Sequence, residues 1–407
     1  MPIAVYVLGL GIFTQGTSEF MLSGLLPDIA HDLGVSIPDA GLLISAFAIG
    51  MVVGAPLLAG ATLNWPRRTA LAALQSVFIA AHVVGALAPG YGVLFVTRVV
   101  SALAYAGFWG VAVAAAVVLV PAEAKAKAVA VVASGLTLAT IIGVPAGTLL
   151  SQSSGWRTAF WGVAALTLVS LLCSLFAIPG GKVSTDETHT VCAELRAMAR
   201  PQLWLSYAVT AFAFGAVIVT FSYLATLLTD VTDLSEGWVP ALLALFGAGG
   251  LIGMAIGGKV AAAYPIRTLV LGAGTLVVAS GLLALTAEST AATVVLVFVL
   301  GLAGYVTNPV LQSRVFALAP GAPTLVGATN TSAFNVGNAL APALGGMVIS
   351  AGFGYASVAW VGAALGAVAV PGALWAGHLQ YRGPRTGGVV AQGAASQEDP
   401  AAARARA

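Results

Sequence analysis

Twelve apolar stretches, each long enough to cross a bilayer, constrain the fold of this 407-residue chain more than any other feature. A hydrocarbon core is spanned by roughly 20 predominantly apolar residues. Runs of that order fall at 4–26, 39–61, 70–89, 92–119, 127–150 and 157–178 in the first half. The second half has them at 203–227, 238–261, 268–287, 291–316, 324–349 and 356–377. Charged residues make up 7% of the chain, against about 25% in an average soluble domain, so a soluble globular protein is excluded. The sequence predicts an all-α integral membrane protein. Its first segment is retained, since it lacks the basic flank and small-residue cleavage pattern of a signal peptide.

The connections are short and carry turn formers, as in Pro89-Gly90-Tyr91-Gly92 and Pro320-Gly321-Ala322-Pro323. The predicted organisation is therefore a six-helix bundle over 1–178, a polar linker over 179–202 and a second bundle over 203–378. The remaining 379–407, rich in Gly, Ala, Gln and Arg without apolar period, reads as a disordered tail. Basic residues gather on one side of this topology, from Arg67, Arg68, Lys125 and Lys127 through Lys182, Arg196 and Arg200 to Lys259, Arg267, Arg314 and the tail. The other side holds Asp28, Asp32, Asp39, Asp230, Asp233, Glu236 and Glu288, with Arg157 as its base. The positive-inside rule then puts both termini and the linker in the cytoplasm of a bacterial-type inner membrane.

The halves repeat at a constant offset of 199 residues. It places Phe47 on Phe246, Gly50 on Gly249, Gly54 on Gly253, Leu103 on Leu302, Pro121 on Pro320, Gly155 on Gly354 and Trp161 on Trp360. Two six-helix halves in the same orientation imply an axis along the membrane normal and a central pathway between them.

Two charges lie deep in the apolar segments. Glu19 shares a helical stripe with Gly11, Gln15 and Ser23. Arg98 lies at matching depth in the fourth segment, both about 10 Å from the acidic face at 1.5 Å per residue. Intramembrane charges are costly and mark functional sites by default. Rearranging the two would alter the proton affinity of Glu19, the physics of a proton-coupled carrier; a static ion pair is the open alternative. Further polar and aromatic side chains fall on helical stripes: Tyr105 and Trp109 in the fourth segment, Tyr305 and Asn308 in the tenth, Asn335 and Asn338 in the eleventh. With Gln15 they form the candidate substrate-binding set, suited to a neutral, drug-sized solute. For any single amide, interhelical glue is the competing reading. His82 stands alone in the third segment and reads as structural. Gly143-Val144-Pro145-Ala146-Gly147 interrupts the fifth segment, and Ala341-Pro342-Ala343-Leu344-Gly345-Gly346 the eleventh, where a kink and a close helix approach are expected. No P-loop and no ligand spacing among the two Cys and four His is present, so no metal or organic cofactor and no nucleic acid is expected.

These features resemble the major facilitator superfamily over residues 3 to 380. Gly143, Pro145 and Gly147, followed by Gly155-Trp156-Arg157, resemble the antiporter motif of its drug:proton antiporter branch, and Arg98 matches that branch's helix-4 arginine. The run Gln15-Gly16-Thr17-Ser18-Glu19-Phe20-Met21-Leu22-Ser23-Gly24-Leu25-Leu26-Pro27-Asp28 is similar to chloramphenicol-resistance exporters. The resemblance implies export of chloramphenicol driven by a proton gradient, with Glu19 and Arg98 in proton coupling, by a chain functional as a monomer in lipid. Export of sugars or another small metabolite is the alternative it leaves. The loop between the second and third segments departs from the family pattern: Gly60, Arg67 and Arg68 are kept, but Asn64 stands where an acid is expected and one residue is missing.

Overall fold

A computed structural model describes residues 1–62, 65–179, 198–261, 263–319 and 323–382. The described residues fold into helices, with no strand among them. The first half contains α1 (Ile3–Leu33), α2 (Ile37–Thr62), α3 (Arg67–Ala86) and α4 (Tyr91–Val118). Then come α5, built from Lys125–Leu138, a π-helical turn at Ala139–Gly143 and Val144–Ser154, and α6 (Trp156–Ala177). The second half contains α7 (Pro201–Ser222, continued past a break at Tyr223 by Leu224–Asp230), α8 (Val239–Val260) and α9 (Pro265–Thr286). It closes with α10 (Thr290–Val306 and Asn308–Leu318), α11 (Pro323–Val348, running into a π turn at Ile349–Phe353) and α12 (Ser357–Arg382). Most of the expected linker and tail lie outside the described residues, as do Asn64 and its second-half counterpart Ala262.

Eleven stretches among the described residues are long and apolar enough to cross a membrane. The first helix is not among them, because Thr14, Gln15, Thr17, Ser18 and Glu19 thin its apolar run. Every residue of α1 from Thr14 to Leu26 is buried, so this stretch meets protein and not lipid. That burial is what allows a polar stripe at membrane depth. The helix also continues past Pro27, carrying Asp28 and Asp32 on its last turns, and stops at Gly34, whose φ of 64° is the left-handed cap that glycine takes without strain.

The glycine repeats join equivalent helices in each half. A Cβ on Gly50 of α2 would lie 2.7 Å from Ala102 Cβ, and one on Gly54 would lie 3.0 Å from Leu103 Cα, both on α4. Gly249, Gly253 and Gly257 of α8 likewise sit against the backbone carbonyls of Phe298, Leu302 and Val306 on α10. No side chain fits between these backbones, which is the close packing that small residues permit in a bilayer.

The halves meet from mid-depth toward the acidic face. Ser45 Oγ on α2 donates to the Ala339 carbonyl on α11 at 2.7 Å. Gln152 Nε2 on α5 donates to the Glu236 carbonyl beside α8 at 2.6 Å. Thr137 Oγ1 on α5 donates to Met254 Sδ on α8 at 3.7 Å. The π turn of α5 also lies close against the other half. A Cβ on Gly247 of α8 would lie 2.9 Å from Ile141 Cα and 3.0 Å from the Thr140 carbonyl.

Candidate functional site

Consecutive residues on a helix point about 100° apart, so Ser18 and Glu19 of α1 address different neighbours. Ser18 faces α3 and α4 of its own half. Arg98 Nη1 donates to Ser18 Oγ at 2.7 Å and Nη2 to the Ser18 carbonyl at 2.9 Å. The guanidinium also lies 4.2 Å from the centroid of the Phe47 ring on α2, a cation–π contact. His82 is not the isolated residue the sequence suggests. Its Nε2 sits 2.7 Å from the same Ser18 Oγ, and its Nδ1 2.9 Å from the Phe78 carbonyl. The imidazole stacks on Phe78 at 4.2 Å and tilts against Phe160 at 5.6 Å.

Glu19 turns to the other half. It is 7% exposed, and its Oε1 accepts a hydrogen bond from Asn338 Nδ2 of α11 at 3.2 Å. Arg98 of α4 and Glu19 of α1 thus share a depth but form no ion pair: Arg98 bonds to one face of α1 while Glu19 points from another. The salt bridge found among the described residues is Arg157 to Asp32, at the acidic face. There Asp32 also accepts from the Trp156 indole at 3.0 Å. The Trp156 and Arg157 donors hold its carboxyl below the usual aspartate range.

The candidate binding residues divide between the two halves. Gln15 is fully buried, and neither atom of its amide has a hydrogen-bond partner. The Tyr105 hydroxyl, also without a partner, lies against Gly16 of α1, while its ring meets half-buried Trp109 edge-on at 6.2 Å. On the opposite side, the amide oxygens of Asn308, Asn330, Asn335 and Asn338 are buried and unpartnered, although Asn335 Nδ2 donates to the Thr331 carbonyl at 3.1 Å. Tyr305 belongs to a ladder of rings that starts beside Glu19. Phe20 meets Phe221 at 6.3 Å, Phe221 stacks on Phe246 at 4.5 Å, and Phe246 meets Tyr305 at 6.3 Å. The ladder continues through Phe214 at 6.2 Å to Phe334 at a further 5.0 Å. Phe20 and Phe246 were not legible as site residues, since a phenylalanine in an apolar segment carries no signal of its own. Orphan amides and hydroxyls along an aromatic wall are the groups that orient a drug-sized amphiphile in a mostly apolar pocket. Surface grooves of about 500 and 360 Å³ lie elsewhere, beside α11 and α12 and among α8, α9 and α10, and are not lined by this set apart from the flank of α10.

The residues of the antiporter-like motif pack on α1. A Cβ at Gly143 would overlap Thr17, whereas one at Gly147 would meet Met21 Cβ at an ordinary 3.5 Å. Pro145 stands at the start of the helix that follows the π turn, where a missing N–H is tolerated. In α11 the Pro342 carbonyl accepts from the Tyr223 hydroxyl at 2.7 Å, and Gly345 faces the same ring. In the second loop, Gly60 and Arg68 are exposed and Arg67 is half-buried; among the described residues neither arginine bonds to a helix carbonyl.

Comparison with known proteins bears on this arrangement. The family model described as Major Facilitator Superfamily matches residues 8–333. A chloramphenicol resistance protein of Streptomyces lividans is 41% identical over 372 residues, covering 91% of this chain and 95% of its own. The inner membrane transport protein YdhP of Escherichia coli K12 is 38% identical over 364 residues, covering 89% and 93% respectively. Among solved structures, a bacterial homologue of the human lysosomal transporter Spinster, inward-facing and unoccupied, superposes with a TM-score of 0.73 at 18% identity. That match covers 92% of this chain and 95% of the other. The nucleoside transporter NupG gives a TM-score of 0.73 at 15% identity, covering 92% and 99%.

Proposed function

The chain belongs to the Major Facilitator Superfamily, a multi-pass membrane transporter family, and from that premise we propose that it exports a small, largely neutral drug, chloramphenicol or a close relative, in exchange for protons. The substrate reading is supported by the name of the Streptomyces relative and by the unpartnered amides and aromatic ladder, which suit an amphiphilic aromatic solute better than an ion. The proposed working unit is a monomer embedded in lipid, a reading supported by both halves of the candidate site coming from one chain. The proposed orientation keeps both termini in the cytoplasm.

One observation carries the coupling. The titratable group of the site, Glu19, is hydrogen-bonded across the interface to Asn338 of the other half. Adding or removing its proton changes a contact that exists only while the halves are closed at that depth. A ligand that prefers one of those arrangements must then bind with a proton dependence, and the effect is reciprocal. Glu19→Gln keeps the shape but cannot titrate. The expected result is a variant that still binds drug, loses the pH dependence of binding and fails at uphill export. Reconstituted vesicles with an imposed pH gradient, alongside a drug-susceptibility panel of expressing cells, test both parts. Concentration of drug against its gradient by Glu19→Gln would refute the coupling role, and an unchanged chloramphenicol susceptibility would refute the substrate.

A further inference from the structure

The contact of His82 with Ser18 defines a directed chain of hydrogen bonds. The Phe78 carbonyl can only accept, so the proton of a neutral imidazole lies on Nδ1 and Nε2 is left as an acceptor. Nε2 therefore accepts the Ser18 hydroxyl proton, which leaves an Oγ lone pair for Arg98 Nη1. From Arg98 Nη1 through Ser18 and His82 to the Phe78 carbonyl each bond runs from donor to acceptor, while Arg98 Nε is left buried without a partner. A histidine protonated on both nitrogens would offer a donor where Ser18 needs an acceptor, and would set a second cation against the guanidinium.

We propose that His82 is a positioning residue for the coupling pair: by fixing the Ser18 hydroxyl it holds Arg98 on the α1 backbone, one residue away from Glu19, and keeps the carboxylate free to engage Asn338. This rests on the reading of Glu19 as the proton site. Around the imidazole, Phe78 and Phe160 present rings from α3 and α6, and the nearest charged side chain is Arg98, reached through Ser18. Asn338 is the residue bonded to Glu19, and Arg98, Tyr105 and Tyr305 lie within electrostatic reach of its carboxyl without bonding to it. Without the acceptor on His82 the Ser18 hydroxyl is free to rotate, Arg98 keeps only the Ser18 carbonyl and the Phe47 ring, and the guanidinium gains freedom to tilt toward the adjacent carboxylate. A cation against Glu19 favours its ionised form, so more protons are needed to drive the cycle.

The test uses the full chain. His82→Phe keeps the ring between Phe78 and Phe160 but deletes the acceptor, whereas His82→Gln places an amide oxygen near the position of Nε2. The pH of half-maximal export should move toward acid by about one unit in His82→Phe, a tenfold change in proton concentration. It should return toward the wild-type value in His82→Gln. Ser18→Ala should shift the profile similarly, and His82→Phe added to Ser18→Ala should change little more, because residues acting through one contact are non-additive. Nitrogen NMR of the protein labelled at its four histidines, with His82 assigned from His82→Gln, should show an Nδ1–H tautomer that Ser18→Ala perturbs. A wild-type pH profile in His82→Phe, additive shifts in the double variant, or a proton on Nε2 would each overturn the proposal. The tautomer and its response to Ser18→Ala are read without transport. They decide the role of His82 even if Glu19→Gln proves to retain coupled export.

Discussion

Gly143→Ala is the sharpest structural test of how the fifth helix serves transport. The added methyl would overlap Thr17 Oγ1, and would lie 2.9 Å from both Thr17 Cβ and Cγ2. Rotating the threonine does not help, because Cβ stays in place in every rotamer. Reaching ordinary carbon contact requires α1 and α5 to separate by about 0.5–1 Å, and overpacking of this kind costs about 1–3 kcal/mol. The backbone at Gly143 is helical, with φ −65° and ψ −48°, so alanine regains about 1 kcal/mol of helix propensity. The net cost is on the order of 0–2 kcal/mol by the same principles. It falls where tolerance is lowest, because α5 moving off α1 drives Ile141 and Thr140 into Gly247 of the other half, where a single methyl already finds too little room. A shift of about 1.4 kcal/mol in the balance between closed and open arrangements is a tenfold change in population. Drug export in vesicles, at matched insertion, should therefore fall by up to about tenfold in Gly143→Ala. Gly147→Ala, whose methyl meets Met21 at 3.5 Å, should stay within about twofold. The double variant Gly143→Ala with Thr17→Gly moves the missing side chain to the other helix and should recover most of the loss. Equal effects of the two alanines, or no recovery in the double variant, would refute the reasoning.

Asn338→Leu removes the donor that Glu19 accepts across the halves. With a hydrogen bond across the halves worth about 0.5–1.5 kcal/mol, export should drop about two- to tenfold and drug binding, measured by fluorescence titration, should lose its pH dependence; unchanged export would discard the bond as a coupling element. Orientation is checked with Lys125→Cys and Glu288→Cys in a chain lacking Cys173 and Cys192: an impermeant thiol reagent outside intact cells should label the second and spare the first. At the acidic face, Asp32→Asn removes the acceptor of Trp156 and Arg157. Because the folded state holds Asp32 below the ordinary aspartate value of about 3.9, its contribution is complete at neutral pH and lost as pH falls through the folded value. The Tm of wild type should exceed that of Asp32→Asn by a constant amount from pH 7 to 5, and the two should converge below about pH 4.

How much of this was legible in the sequence depended on whether a property is carried by one helix or by a pair. Segment lengths, the offset of 199 and the glycine repeats are properties of single segments or of their periodic spacing. The helices they imply are present, with Gly50 and Gly54 packing as Gly249 and Gly253 do. The depth of Glu19 and Arg98 was readable for the same reason. Their partners were not, because counting residues gives height along the membrane normal but not the azimuth of a helix among eleven others. Hence the direct ion pair that matched depth left open is not formed, and Arg98 bonds to Ser18 while Glu19 bonds to Asn338, a contact spanning 319 positions. The π turn was hidden too. Pro145 announced a disturbance, but the extra residue is absorbed one turn earlier, at Ala139–Gly143.

The repeat also makes the proposed site asymmetric. Applying the same offset to the coupling residues, Gln15 corresponds to Phe214, Ser18 to Val217, Glu19 to Ile218, His82 to Gly281 and Arg98 to Val297. The counterparts are apolar or bare, and Val217, Ile218 and Val297 are fully or almost fully buried. In the reverse direction Tyr305, Asn335 and Asn338 correspond to Ala106, Leu136 and Ala139. One half therefore holds the titratable carboxylate and the groups that position its neighbour, while the other supplies neutral amides and most of the rings. A second carboxylate at Ile218 would raise the two protonation states per closure to four, with no rule linking each to a direction of movement. With one titrating group in the first half and its hydrogen-bond donor in the second, a single proton can report on, and bias, the relation between the halves.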